Sequence, residues 1–255
     1  MNCRNQFFIF RIMKNYVKSL LSGTRYVILI ITIYIPTFCL QAQTKLPALG
    51  TSKVVGIVNN VRIETKVQSP SLQATPLQIV CLFEYTEGDI TNPPALPKAS
   101  NGIYHVDEAL HGLITDLRKT GKFKGQRYET LLIDAPNGTI AAKKLLLVGL
   151  GNRNQFEPSI METVGTIGMR EALKLGVTGY SHASDLKDAG ISSPTAEVAG
   201  LVVKGALDAL YTQQYLQSKN ASVFTPITQF TLLTGPGFFE ESQKGIVPVL
   251  QAYAK

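Results

Sequence analysis

The stretch Val148-Gly149-Leu150-Gly151-Asn152 closes an apolar run of the chain. Two glycines at a strand end can expose backbone N–H groups, and Asn152 adds a side-chain amide. Such a turn could hold a small phosphate-containing ligand. A dinucleotide site, however, needs a third glycine and a helix that begins at once. Here the third position is Asn154, and the next helix start is signalled by Pro158. The positive end of that helix would lie away from a phosphate on the glycines. The competing reading is that Gly149 and Gly151 let a buried strand end sharply against neighbouring chain. Thr234-Gly235-Pro236-Gly237 forms a second glycine turn, between a predicted strand and the last predicted helix. That order brings backbone donors and a positive helix end together, so Gly235 and Gly237 suit an anion better than the first pair. Pro236 removes one donor, and a plain tight connection is the alternative.

Other chemistry is hard to assemble. His105, His111 and His182 are the histidines, and neither His-Glu-x-x-His nor Cys-x-x-Cys occurs. No metal and no cofactor is expected. Ser181, His182, Ser184 and Asp185 fall together in YSHASDLKD. Members of a nucleophilic triad normally come from separated positions, and Gly-x-Ser-x-Gly is missing. These residues read as polar positions after a short strand at Val177–Tyr180. Arg118, Lys119, Lys122, Lys124 and Arg127 surround Phe123. Basic residues with an aromatic can serve nucleic acid, but a solvated helix end explains them as well.

The elements that would position these turns follow from periodicity. Lys53–Ile63 reads as a strand with a Gly/Asn interruption, and Leu77–Tyr85 as a strand buried on both faces. Asp107 stands at an N-cap position before the helical stripe Leu110, Leu113, Ile114 and Leu117. Two strands flank Pro136-Asn137-Gly138, which predicts that they pair as a hairpin. A helix from Pro158 carries Ile160, Val164, Ile167 and Leu175. A second, capped by Thr195, carries Val203, Leu207 and Leu210, and a last one runs from about Glu240 to Tyr253. Strands alternating with helices predict a three-layer α/β domain with a mixed, mostly parallel sheet. One domain is expected, from Gln43 to Lys255.

The first 42 residues read as a leader. Tyr26 to Phe38 is apolar apart from two threonines, the preceding part holds five bases and no acid, and small Ala42 follows. That layout predicts a secretory signal cleaved near Ala42, with Met13 as the true start. The apolar core is short for a span, which needs about 20 residues. A periplasmic or secreted protein with no membrane contact after cleavage is expected, with an uncleaved anchor as the alternative. The whole chain carries 25 Lys+Arg and 18 Asp+Glu. Subtracting the leader's five bases leaves twenty against eighteen, so the basic balance belongs mostly to the leader and disfavours nucleic acid. Beyond the leader Cys81 stands alone, reading as a buried small hydrophobe.

VDEALHGLITDLRKTGKFKGQ, then a strand, then KKLLLVGLGNRNQF, resembles the N-terminal domain of the leucyl aminopeptidase family. The matching segments are Gly121-Lys-Phe123-Lys-Gly125 and Val148-Gly149-Leu150-Gly151. AGLVVKGALDALYTQQYLQSK looks like a later helix of that domain. The resemblance runs from about Leu77 to Lys255 and implies a macro-domain-like fold. It also implies a catalytic domain with two metal ions, whose Asp-Ser-Gly-Gly and Asn-Thr-Asp-Ala-Glu-Gly-Arg segments do not occur here. The expectation is therefore a non-catalytic binding or interaction domain. A macro-type nucleotide or ADP-ribose module and the regulatory half of a split or truncated aminopeptidase are the alternatives. In the family this domain packs on its catalytic partner, as the resemblance implies, so a free copy would either make that face polar or cover it with a protein partner or a second copy of itself. Ile246, Val247, Val249, Leu250 and Tyr253 of the last helix are the expected partner-facing residues.

Overall fold

A computed structural model describes residues 45–254 of the chain. The leader assigned to residues 1–42, the start at Met13 and the domain boundary at Gln43 lie outside the described residues.

The two most apolar runs form β3 (Leu77–Leu82) and β5 (Lys144–Gly149), which pair in parallel. Side chains alternate across a strand. Ile79, Cys81, Leu146 and Val148 therefore enter one apolar layer, and Val80, Leu82, Leu145 and Leu147 enter another. Burial on both faces is why these runs read as continuous rather than alternating. Among the described residues the sheet also contains β1 (Ser52–Val58), β2 (Val61–Val67), β4 (Thr130–Asp134), β6 (Gly179–Ala183) and β7 (Gln229–Thr234). Its order is β1-β2-β7-β6-β3-β5-β4. The inner pairings from β2 to β5 are parallel, and the outer pairs β1/β2 and β4/β5 are antiparallel.

Helices α1 (Gly102–Ala109) and α2 (Leu113–Lys119) bury Ile103, Val106 and Ile114 against one face. Helices α3 (Ile160–Lys174), α4 (Thr195–Ser218) and α5 (Phe239–Tyr253) cover the other. This is the expected three-layer α/β arrangement with a mixed, mostly parallel sheet. The strands flanking Asn137-Gly138 do pair antiparallel, with Leu132 opposite Leu146.

Several local expectations are corrected. Lys53–Ile63 is a hairpin rather than one interrupted strand. Asn59 and Asn60 take φ of 49° and 63°, and Val58 pairs with Val61. Asparagine tolerates that left-handed backbone, so two asparagines in succession turn the chain back on itself. The first helix begins at Gly102, not near Asp107. Asn101 caps it by accepting from Tyr104 N at 3.0 Å. Asp107 instead accepts from Thr115 N at 3.1 Å, so it satisfies the first turn of α2 from the helix before it. Thr195 lies inside α4, where Pro194 holds the N-cap position without a side-chain cap. Strand β6 extends to Ala183, which makes Ser181 and His182 buried strand residues rather than loop polars.

The expected partner face of α5 is largely internal. Ile246 is 0% exposed and Leu250 6%, and both belong to the larger core. Val249 and Tyr253 pack partly against the same core. The Tyr253 hydroxyl donates to Asp208, and Tyr211 Oη donates to Tyr253 O at 3.0 Å. The stripe that read as unpartnered is covered by α4 and β1 of the same chain; Val247 is the named residue left outward. Arg118 is also misread as solvated. It is buried and donates to Asp89 and Phe83 O. Phe123 is fully buried, so it offers no face on which a base could stack.

Candidate functional site

Parallel strands deliver their carboxyl ends to one edge, and in open α/β sheets ligands sit in crevices there. In this chain a cavity of about 560 Å³ opens at the ends of β2, β6 and β7. Val67, Ala183 and Thr234, the last residues of those strands, are on its wall. Gly102 at the start of α1 and Thr195, Val198 and Ala199 at the start of α4 add to it. The turn Gly235-Pro236-Gly237 and Phe238 complete the rim. Leu72, Leu96, Leu186 and Leu232 make much of the lining apolar.

The segment after β6 supplies the charge. Asp185 Oδ2 accepts from Cys81 N at 3.0 Å, where β3 runs towards its end. Asp188 Oδ2 accepts from Gly102 N at 2.9 Å and so satisfies a donor at the start of α1. Both carboxylates line the cavity, and among the described residues neither has an ion-pair partner. Lys187 lies between them in sequence but donates to Ser193 O at 2.5 Å, with its ammonium 5.5 Å from the Phe238 ring centroid. Burial pushes the Asp185 carboxyl well up, and the charge of Asp188 pushes it further, against the Cys81 N–H. Burial raises Asp188 to about 6, against the opposing hydrogen bonds from Gly102 and Ile103. Behind them, burial lowers His182 to about 3 and raises the Cys81 thiol well above its usual range. A neutral imidazole 3.9 Å from an un-ionised thiol is not an activated nucleophile. Among the described residues no three His, Cys, Asp or Glu side chains gather as metal ligands.

These shifts make stability depend on pH in opposite senses. A carboxyl raised in the folded state destabilises the fold above its folded pKa, and that penalty fades as pH falls towards the unfolded value. His182, depressed when folded, removes stability as pH falls from about 6.5 to about 3. Asp188→Asn removes the share of the first effect that belongs to Asp188, while an amide oxygen can still accept from Gly102 N. The variant should be more stable than the parent by about 1–3 kcal/mol at alkaline pH, with the gain vanishing near pH 4. Urea midpoints across that range check it; a constant difference would show that Asp188 titrates normally.

The cavity takes in one pair of the sequence-predicted residues and leaves out the other. Gly235 and Gly237 line it. Gly149, Gly151 and Asn152 do not. The N–H groups of Gly149, Leu150 and Gly151 donate to Glu129 O, Leu82 O and Gly125 O at 2.8, 2.8 and 2.9 Å. A Cβ on Gly149 would stand 2.0 Å from Gln126 O. These glycines let β5 end against the 125–129 segment, and their donors are spent on the chain itself. Asn152 Oδ1 accepts from Asn154 N at 2.9 Å. Asp188 and the apolar lining were missed by sequence reasoning. The available signal was two aspartates three residues apart directly after a parallel strand, in the loops where such sheets place their sites.

Comparison with known proteins agrees with the geometry. Residues 86–220 match the family model for the cytosol aminopeptidase family, N-terminal domain. A probable cytosol aminopeptidase of Roseiflexus castenholzii is 28% identical over 142 residues, which are 55% of this chain and 28% of that protein. One from Nitrosococcus oceani is 26% identical over 53% of this chain and 27% of its own length. The chain thus spans little more than a quarter of these relatives. Among solved structures, tomato leucine aminopeptidase superposes with a TM-score of 0.53 at 18% identity, over 83% of this chain and 38% of that one. An Oceanobacillus iheyensis macrodomain determined with ADP gives 0.50 at 14% identity, over 79% and 98%. With more than half of its residues inside the family match, the chain belongs to the cytosol aminopeptidase family through that family's N-terminal domain.

Proposed function

We propose that this chain is an exported, non-catalytic binding domain whose ligand occupies the cavity at the carboxyl ends of β2, β6 and β7. The cavity itself carries the reading: about 560 Å³, mostly apolar, with a few polar groups converging on it. Binding is the activity assigned to this domain, because a cavity with converging polar groups is what it presents. A screen of small metabolites by nuclear magnetic resonance should shift the amides of Thr195, Gly235 and Gly237. Hits confined to other surfaces, or none, would remove the reading. The purified protein should release no leucine from a chromogenic leucyl amide, with or without manganese; turnover would end the non-catalytic assignment. Export is supported by the basic, then apolar, leader, and N-terminal sequencing of the exported protein should begin after Ala42.

A nucleotide is the second reading. It is favoured by the glycine turn between β7 and α5 and by the ADP held in a solved macrodomain of the same fold.

A further inference from the structure

Inside the cavity the distribution of charge is one-sided. Asp185 and Asp188 lie three residues apart on the segment leaving β6, and both reach the lining. Each spends Oδ2 on a backbone N–H, from Cys81 and Gly102, which ties its position to β3 and to α1. Asp185 Oδ1 makes no hydrogen bond among the described residues and is not sealed off as a buried unpartnered atom. The one cation beside them in the lining, Lys187, is held away by Ser193 O and Phe238. Burial raises both carboxyls, Asp185 the more, so Asp188 carries the pair's negative charge at neutral pH and an anion placed here would meet it without a counter-charge. A cation, or a strong N–H donor, would supply what the pair lacks, and charge-assisted hydrogen bonds are the stronger kind. Leu72, Leu96, Leu186, Leu232 and Phe238 give the wall an apolar part, beside hydroxyl side chains and His105, and that part asks for an apolar body.

We infer that the cavity selects ligands carrying a primary amine on an apolar body, with Asp185 and Asp188 as the specificity-determining residues. The inference rests on the cavity being the ligand site, and it goes further by assigning the chemical class. It also sets the amine against the nucleotide, because a diphosphate lying along 183–188 would face the same carboxyl pair.

Four probes decide it: tryptamine, tryptophol and indole-3-acetate, which share one apolar body, and ADP. Calorimetry and amide shifts are recorded on the same protein. Tryptamine should bind ~10-fold tighter than tryptophol, with indole-3-acetate weaker still. Asp185→Asn and Asp188→Asn should each cut tryptamine affinity ~5-fold or more and leave tryptophol unchanged. Equal binding of the three indoles, or tighter binding of indole-3-acetate or ADP, overturns the amine assignment while leaving the cavity as a ligand site. Silence from all four, together with a metabolite screen that misses the cavity, removes the site and the inference with it. The order of ligands on the unaltered protein decides the matter even if a variant fails to fold.

Discussion

Arg118→Met is expected to lower the free energy of unfolding by about 3–5 kcal/mol, because it strands a carboxylate that was buried with its partner. The guanidinium is 1% exposed at its side chain and Asp89 8%. Nη1 donates to Asp89 Oδ1 at 3.0 Å, and Nη2 donates to Asp89 Oδ2 at 2.6 Å and to Phe83 O at 2.9 Å. The Tyr85 ring lies 5.3 Å from the guanidinium carbon. One side chain thus fastens the segment after β3 to helix α2 in three ways. Methionine fills much of the volume but leaves Asp89 and Phe83 O without donors. Lysine keeps the charge and loses the planar fork, so Arg118→Lys should recover only part of the loss. Arg118→Met combined with Asp89→Leu should be far less damaging than Arg118→Met alone, because the uncompensated charge has gone. Urea unfolding of the four proteins measures this. A loss below about 1 kcal/mol for the single methionine variant would mean that Arg118 is solvated, like the exposed ion pairs that contribute little.

Arg118 also shows where the sequence could be read and where it could not. Its neighbours Lys119, Lys122, Lys124 and Arg127 are exposed, as a basic helix end should be. Nothing local separates the one buried member, because its partner Asp89 is 29 positions away. The strands β3 and β5 were legible because burial on both faces writes itself as an unbroken apolar run. The β4–β5 pairing was legible from Asn137-Gly138. At Asn59-Asn60 the same turn chemistry was present without a glycine, and the hairpin was read as a single strand. The stripe Ile246, Val249, Leu250 and Tyr253 had the right period for a packed face, yet periodicity cannot say which surface covers it; α4 and β1 do. The cavity was the least legible feature. Its wall is assembled from segments near 67–72, 96–105, 183–199 and 232–238, which meet only through the strand order β2-β7-β6-β3. One of those segments, the Gly235–Gly237 turn, could be picked out in advance because strand, glycine turn and helix follow each other directly.

Gly205→Ala should be among the most damaging single-methyl changes in the helical layer, costing at least about 3 kcal/mol and lowering the melting temperature by roughly 6–12 °C. Helices α3 and α4 cross with their backbones nearly touching. A Cβ on Gly205 would lie 1.8 Å from Glu162 O, and one on Gly165 would lie 2.1 Å from Val202 O. Thr166 Oγ1 donates to Gly205 O and to Glu162 O at 3.1 Å, and Lys204 Nζ donates to Glu162 Oε1 at 2.6 Å across the same crossing. Glycine inside a helix costs about 1 kcal/mol relative to alanine, so an unconstrained Gly→Ala change would stabilise. Here the obstacle is backbone on a rigid helix, which cannot rotate aside as a flexible side chain can. The helices must separate, opening gaps around Val164, Val202 and Ala206 that were closed. Once one methyl has forced them apart, a second loses less, so Gly165→Ala with Gly205→Ala should cost clearly less than the two single losses added. Gly237→Ala serves as the control, because nothing lies within 4 Å of its Cβ position, and it should change stability by less than about 1 kcal/mol. Thermal unfolding of the four variants reads all of this. If Gly205→Ala proved neutral or stabilising, the two helices would have to run further apart than the backbone contact requires, and the α3–α4 crossing would owe its geometry to Val164, Val202 and their apolar neighbours alone.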